Sequence, residues 1–205
     1  MQALDAVGFD ASHLTLRGDE GNTRVWASQF GDLVTLCYFA KPLPFRAVTE
    51  ALDTIRAQSR RQAARQGGAI IEVELCVVGG IGAIREILKA PQKPAGMGYL
   101  GSLTIPLDNG AYSVFVACRE TGITGMRDTA VFSRLLRSGE VKFADGAGQP
   151  ANWMNDPYDA ALNGPLARNR ADDETYDALF PEHPLSRLRV LLRQIGSSFT
   201  IANRA

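Results

Sequence analysis

Four strand-like segments follow one another between residues 68 and 120, and this succession restricts the fold more than any other feature. They read "GAIIEVELCVV", "IGAIREILKA", "MGYLGSLTIPL" and "AYSVFVACRE" and are rich in β-branched and aromatic residues. The links "GG", "PQKPAG" and "DNG" are short, so the sequence predicts an antiparallel meander. In the last link, Asn109 and Gly110 tolerate the positive φ of a tight hairpin turn.

Further strands and a helix are predicted before the meander. After a short N-terminal tail, "HLTLRG", "TRVWASQF" and "DLVTLCYFA" have strand composition. The period then changes in "PFRAVTEALDTIRAQSRRQAARQGG", where apolar residues recur every three or four positions, as on one face of a helix. Pro44 suits the first turn of this helix, and Gly67 with Gly68 suits its end. The apolar positions are Phe45, Val48, Leu52 and Ile55.

Two more helices are predicted after the meander. The second lies in "GITGMRDTAVFSRLLRSG" and the third in "LSRLRVLLRQI", each with an apolar stripe at helical spacing. The inward residues of the second helix are predicted to be Ile123, Met126, Val131, Leu135 and Leu136. Those of the third are predicted to be Leu185, Leu188, Leu191, Leu192 and Ile195.

The segment from Val141 to the third helix has little periodicity and many Gly, Pro, Asn and Asp residues. Such a segment is either a functional loop or an extended arm on the surface. Its aromatic residues supply apolar area for burial; they are Trp153, Tyr158, Tyr176 and Phe180. The predicted fold is α+β, with a curved antiparallel sheet of about six to seven strands flanked by helices. Residues 1–140 would form the sheet domain, and residues 141–205 an irregular arm and C-terminal helix packed on that same domain.

Composition narrows the classes of partner. The formal net charge of the 205 residues is zero, so no overall field attracts nucleic acid or an anionic membrane. The N-terminus lacks the basic and apolar regions of a secretion signal, and no apolar run is long enough to cross a bilayer. Cys37, Cys76 and Cys118 lie in apolar strand segments and are expected to be reduced and buried. These features favour a cytoplasmic location.

The stretch "ADDETYDALFPEHPLSRLR", residues 171–189, contains several acidic residues and a histidine close together in sequence. Such a stretch could form a metal site or an acid/base site. Asp172 suits the N-cap of a helix, with Asp173 and Glu174 near its positive end. Residues 172–174 would fan outward on a helix and not converge on a metal ion. Asp173 and Asp177 share a face, which is typical of a solvated surface. No metal or cofactor is therefore predicted.

His183 precedes Pro184, and the pair is a common signal for the start of a helix. A catalytic histidine needs an orienting carboxylate and a nucleophile within hydrogen-bond reach, and Glu182 and Ser186 are close only in sequence. A structural role for His183 is therefore favoured over a catalytic one. The glycines of "VVGGIGAIRE" and "GMGYLGS" match neither a phosphate loop nor a dinucleotide-binding motif.

The first helix has a basic face formed by Arg56, Arg60, Arg61 and Arg65. Residues 156–182 hold seven acids against Arg168 and Arg170. Two hypotheses follow: the acidic arm lies near a basic helix face, or that face binds an acidic partner.

The order of strands, one long helix, a meander and another helix over residues 10–138 resembles the Mog1/PsbP-like fold. This resemblance implies a non-enzymatic role in docking to a larger protein or in chaperoning a client. The C-terminal strings "DPYD", "NRADDETYD" and "FPEHPLSRLR" resemble strings in bacterial proteins without a known role. No functional residue is carried over from either likeness.

The favoured function is a binding or adaptor module for a protein partner, with the basic face, Trp153 and Tyr158 as binding residues. One alternative is an enzyme acting on a small molecule between the sheet and the arm. It would draw on His183, Asp156 and Asp172, together with Asp159 and Arg168. A second alternative is a structural homodimer formed through an edge strand or the last helix. Within 171–189, an apolar set is expected to fix the arm to the core: Tyr176, Leu179, Phe180, Leu185 and Leu188.

Overall fold

The structure is a computed structural model that describes residues 3–42, 52–143, 150–159 and 167–202. It confirms the α+β class: one seven-stranded antiparallel sheet carries helices on its faces. None of the helices in these ranges has the length and apolar composition needed to cross a membrane.

The elements follow the predicted order closely. The strands are β1 (Val7–Gly8), β2 (Thr15–Glu20), β3 (Thr23–Ala27), β4 (Leu33–Phe39), β5 (Ala69–Val78), β6 (Ile81–Pro91), β7 (Met97–Leu107), β8 (Gly110–Arg119), β9 (Lys142–Phe143), β10 (Pro150–Ala151) and β11 (Thr200–Ile201). The α-helices are α1 (Leu52–Arg65), α2 (Met126–Ser138) and α3 (Pro184–Ser198). Two 3-10 helices, Arg170–Asp172 and Glu174–Leu179, lie in the arm between α2 and α3.

The sheet order is β2-β3-β4-β8-β7-β6-β5. Strands β5 to β8 form the predicted meander, with every neighbouring pair antiparallel. Strand β4 pairs with β8 along its whole length, from Leu33 opposite Ala117 to Phe39 opposite Ala111. This pairing places the last strand of the meander, β8, at the centre of the sheet.

The two tight hairpins of the meander differ in their turns. Gly79 and Gly80 have φ of 57° and 78°, values that glycine adopts without strain. The β7–β8 turn is predicted from Asn109 and Gly110, but neither residue has a positive φ. Residues 108 and 109 form the link, and Gly110 already belongs to β8. Gly110 is instead needed for close packing, since a Cβ there would lie 2.4 Å from the carbonyl oxygen of Phe39.

Helix α3 covers one face of the sheet, here called the α3 face. Its predicted inward residues are buried, except that Leu191 is half-buried. Contact with β7 is close at Gly101, where a Cβ would lie 2.7 Å from the Leu188 and Leu192 methyl groups. Strand alternation places Leu36, Leu103 and Val114 on this face, and all three are almost fully buried.

Helix α1 lies on the opposite face, over β5 and β6. Ile55 and Ala63 of the helix pack on Ile70, Val73 and Ile84 of the two strands. Gly67, with φ of 67°, follows the end of the helix as predicted. Pro44, Phe45 and Val48 lie outside the described residues, so the first part of the predicted helix is not described.

Helix α2 packs on the arm, and its inward face differs from the prediction. Val131 and Leu135 are buried, but Ile123, Met126 and Leu136 are 82%, 59% and 40% exposed. The reason is that Arg127 takes the buried position in the first turn of the helix. Its guanidinium donates to the carbonyls of Ala171 and Asp173 and to the Ser186 hydroxyl. The cluster between α2 and the arm contains Val131, Leu135, Val141, Trp153 and Ala171.

The N-terminal segment is not the free tail expected from the sequence. Residues Ala3–Ala6 form a 3-10 helix, and Leu4 is fully buried in the core. Strand β1 pairs with β11, so that Val7 lies opposite Ile201. The apolar Leu4, Val7 and Phe9 account for this packing.

Candidate functional site

His183 is placed as the sequence predicts, as the N-cap of α3. Its Nδ1 accepts a hydrogen bond from the Leu185 N–H at 3.3 Å, which puts the proton of a neutral ring on Nε2. That Nε2 lies 3.7 Å from Glu120 Oε1, and the His183 side chain is 9% exposed. Nδ1 therefore caps the helix, whereas Nε2 faces Glu120 beyond hydrogen-bond distance.

Glu120 connects three elements through its carboxylate. Its Oε1 accepts from the Gly125 N–H before α2, and its Oε2 accepts from the Met97 N–H of β7, each at 2.8 Å. Burial opposes ionisation, but the neighbouring His183 ring and the hydrogen bonds from the Gly125 and Met97 N–H groups outweigh it and lower the pKa of Glu120. A shallow cavity of about 480 Å³ opens beside this pair, and Arg119, Met126 and Phe180 contribute to its lining.

Asp172, predicted as an N-cap, is buried and paired. Its carboxylate accepts from Lys89 Nζ of β6 and from the Asn169 N–H. Asn169 is the actual cap of the Arg170–Asp172 turn, and Asp173 caps the next one. Asn169 also donates to Asp128, whose pKa is raised by burial and by the nearby Asp172.

Asp177 is not on the solvated face that its spacing from Asp173 indicates. Its Oδ1 lies 2.9 Å from Arg127 Nη1 and 3.0 Å from Arg189 Nη1, and it accepts from the Ser186 hydroxyl. The arm is thus fixed to α2 and α3 by buried ion pairs as well as by apolar contacts. Tyr176 and Phe180 of the predicted apolar set pack on the α2 cluster, whereas Leu179 is 60% exposed.

Asp156 lies in a different part of the molecule. Both its oxygens accept from the Arg60 guanidinium at 2.7 Å, and one also accepts from the Tyr158 N–H. Burial opposes ionisation, but the Arg60 hydrogen bond outweighs it and lowers the pKa of Asp156. Arg168 pairs with Asp173. Asp156 is therefore separate from His183 and Asp172, whereas these two both lie near Tyr99 and Asp128.

The basic face of α1 is divided by its contacts. Arg56 donates to the Val73 carbonyl and to Glu74 and lies 3.8 Å from the centre of the Tyr158 ring. Arg60 pairs with Asp156 of the arm, as in the intramolecular hypothesis. Arg61 and Arg65 are exposed, and no ion pair involves them in the described part of the chain.

Trp153 and Tyr158, predicted as binding residues, make contacts within the chain. Trp153 is 8% exposed and packs edge-on against Phe132 of α2 at 5.0 Å. The Tyr158 hydroxyl accepts from the Val73 N–H and donates to Glu74.

One part of the sheet has no helix above it. On the α1 face, strands β4, β8 and β7 form cross-strand rows that no α-helix covers in the described ranges, and this surface is here called the open face. Leu33, Phe39 and Leu100 on it are 45%, 46% and 39% exposed. Its side chains are Leu33, Thr35, Cys37 and Phe39 of β4, Ala111, Ser113, Phe115 and Ala117 of β8, and Leu100, Ser102, Thr104 and Pro106 of β7.

None of these open-face residues is charged. The solvent side of an antiparallel strand ordinarily alternates with polar residues, whereas strands covered on both faces are continuously apolar. A cavity of about 580 Å³ lies at one end of the open face, beside Ala63 and Gln66 of α1, with Arg119 at its rim. The open face thus has the composition of a buried surface, and its accessible part is at its ends, since Ala111, Ser113 and Ser102 are buried whereas Leu33, Phe39 and Leu100 are exposed.

Sequence reasoning missed the open face because the strand register decides which residues share it. A usable signal was present, since residues 33–39, 97–107 and 110–118 contain no charged residue at either parity. Strands β5 and β6 do carry charges, among them Glu72, Glu74 and Arg85.

The two edges of the sheet are protected against the addition of another strand. On β5, the Val73 N–H and C=O are occupied by Tyr158 and Arg56. Strand β2 is short, has a bulge between Leu16 and Gly18, and carries charges at Arg17, Asp19 and Glu20. Bulges and charges are features that block strand pairing.

Thiol and metal chemistry find little support in the described part of the chain. The three cysteines are free, and burial raises the pKa of the Cys76 and Cys118 thiols, which disfavours reactive thiolates. No group of three or more His, Cys, Asp or Glu residues in those ranges is suited to hold a metal ion.

No protein-family model matches the chain, and no curated protein matches it either.

Proposed function

We propose that this chain is a non-enzymatic binding module whose ligand is another protein and whose docking surface is the open face. The observation that carries the proposal is the exposure of Leu33 and Leu100 in interior strands, where they flank Ala117 in one cross-strand row. Contiguous exposed apolar area marks interaction sites. The element order that resembles the Mog1/PsbP-like fold supports the same class of function.

The contacts of the acids and the histidine support binding over catalysis. Asp172 and Asp156 use their carboxylates to join segments of the chain, and His183 uses its Nδ1 to cap α3. A general base needs a free lone pair directed at a substrate. The three free thiols suit a reducing compartment, and we place the site of action in the cytoplasm as part of the proposal.

Site-specific photocrosslinking in living cells tests the docking surface. A benzophenone amino acid is placed at Leu33 or Leu100, and the matched control is Val190, which is 42% exposed on α3. We expect a protein adduct of discrete mass from the two open-face positions and none from Val190. With the probe at position 33, Leu100→Glu should remove the adduct, because a buried charge opposes docking.

Equal adducts from all three positions would contradict the proposal, as would the absence of an adduct at both open-face positions. Thermal unfolding of each purified variant is the control for folding. Loss of the adduct counts only where the variant unfolds at the wild-type temperature.

A further inference from the structure

The open face offers a ligand few hydrogen-bond partners. Strands β4, β8 and β7 are each paired on both sides, so their backbone groups are already used. The polar side chains are hydroxyls, and Thr104 and Ser113 bond each other at 3.3 Å. An extended peptide laid on this surface would leave backbone N–H and C=O groups unpaired, which is costly. A helix satisfies its own backbone and avoids that cost.

The dimensions also suit a helix. From β7 across β8 to β4 there are two strand spacings, roughly 10 Å, and a helix with its side chains is about 10–12 Å wide. Strand β4 has seven residues and is about 23 Å long, the length of a helix of about 16 residues. Helix α1 already packs on the neighbouring strands of the same face, so a second helix would lie beside it.

Two arginines, Arg65 and Arg119, lie at the rim of the open face, and the carboxyl group of Glu86 borders it beside Ser102. Arg65 is nine residues after Arg56, which places the two on opposite flanks of α1. Because Arg56 contacts the edge strand β5, Arg65 lies on the flank toward the open face. Arg119 is exposed at the end of β8 and borders the cavity beside α1. Neither Arg65 nor Arg119 forms an ion pair in the described part of the chain.

We infer that the open face binds an amphipathic α-helix of a partner protein, with acidic residues beside its apolar stripe. This inference rests on the proposed docking function and names its ligand. A second copy of this chain is a poorer occupant, because its own open-face side chains include no acid to pair with Arg65 and Arg119. The acids of the partner helix pair with Arg65 and Arg119, while its apolar residues cover Leu33 and Leu100.

Selection from a displayed library of random peptides of about 16 residues tests the inference. The wild-type protein is the target, and the folded Leu33→Glu/Leu100→Glu variant removes peptides that bind elsewhere. We expect enriched peptides to have apolar residues at i, i+3, i+4 and i+7, flanked by Asp or Glu. A synthetic peptide of the enriched sequence should become helical on binding, measured by circular dichroism.

Charge substitutions then test the rim. Arg65→Glu/Arg119→Glu should weaken the peptide by about tenfold, and changing the acids of the peptide to lysine should restore binding to this variant. The matched control is Arg17→Glu, an exposed arginine on β2, which should leave the affinity unchanged. Affinities are measured by fluorescence anisotropy at two salt concentrations, because rim charges are screened by salt.

Several results would overturn the inference. They are the absence of enriched peptides, enriched peptides that bind without helix formation, and affinities unaffected by the rim substitutions. A dimer in sedimentation that Leu100→Glu dissociates would instead assign the face to a second copy. Binding of phosphatidylglycerol vesicles that needs the same residues would assign it to a membrane surface. Extended peptides that bind the open face would leave the docking proposal intact, whereas loss of the crosslinks at Leu33 and Leu100 would end both.

Discussion

Glu120 shows how one side chain holds several elements together. It accepts from the Met97 and Gly125 N–H groups, and the ring of His183 faces it. Its ionised form is favoured in the folded protein, since these contacts lower its pKa in spite of burial. A lowered pKa of an acid means that the stabilisation is present above the unfolded pKa and is lost as pH falls through the folded pKa.

Glu120→Gln should therefore lower the free energy of unfolding at pH 7 by about 1.5–3 kcal/mol. The difference from wild type should shrink as pH falls below the unfolded glutamate pKa of about 4.3. Urea unfolding at pH 7 and at a pH below about 4.3 measures this difference. The control is Glu182→Gln, at an exposed glutamate. A pH-independent difference would show that the charge of Glu120 has no part in the effect.

Asp128 has the opposite linkage. Burial and the neighbouring Asp172 raise its pKa, so its ionisation costs the folded state free energy. Its stabilising contribution is complete below the unfolded pKa and is lost as pH rises through the folded pKa. Asp128→Asn keeps an oxygen for the Asn169 amide and removes the charge. The variant should equal wild type below about pH 4 and be more stable at pH 7.

Thermal unfolding from pH 3.5 to pH 7.5 checks the Asp128→Asn prediction. Asp53→Asn is the control, because the Asp53 side chain is 98% exposed. A variant less stable than wild type at pH 7 would mean that the Asp128 charge is needed by Lys89 or another neighbour.

At the scale of elements, α1 makes different contacts along its two flanks. Arg56 and Arg60 connect it to the edge of β5 and to the arm, whereas Arg61 and Arg65 are exposed. One flank of α1 therefore fixes the helix to β5 and the arm, and the other flank is exposed to solvent.

Arg60→Glu should destabilise the chain by about 2–3 kcal/mol, because two charge-assisted hydrogen bonds to Asp156 are lost. Arg61→Glu, one residue on, should change the free energy of unfolding by less than about 0.5 kcal/mol. Chemical denaturation of the two variants measures the contrast. Equal effects would mean that overall charge governs stability, and that the ion pair with Asp156 does not.

For the whole molecule, local signals predicted the architecture well. The short links between residues 68 and 120 predicted the meander, and Pro184 predicted the start of α3. The sequence-based predictions were wrong where contacts between residues far apart in sequence determine which side chains are buried. Arg127 occupies a buried position because carbonyls of the arm reach it, and Asp172 is buried because Lys89 pairs with it. For the open face, the sequence shows three segments without charged residues but not the register that places their side chains on one surface.

The open face should also set the solution behaviour of the whole molecule. Replacing Leu33 and Leu100 with threonine, which suits strands, should change the free energy of unfolding by less than about 1 kcal/mol. Self-association at high protein concentration should fall, because the exposed apolar area is reduced. Light scattering against concentration measures this. Unchanged scattering would show that any self-association uses a surface other than the open face.

The position of α3 in the chain has a consequence for biogenesis. The helix that covers the core side of the sheet begins at Pro184, long after β8 ends at Arg119. A growing polypeptide that has reached residue 183 therefore has all seven strands of the main sheet, with the α3 face uncovered and the other face covered by α1 only over β5 and β6. Contacts between residues so far apart in sequence form slowly, and the intermediates expose apolar surface that promotes aggregation. Newly made chains are thus most vulnerable to aggregation just before the last helix arrives, and they need protection on two surfaces at that stage.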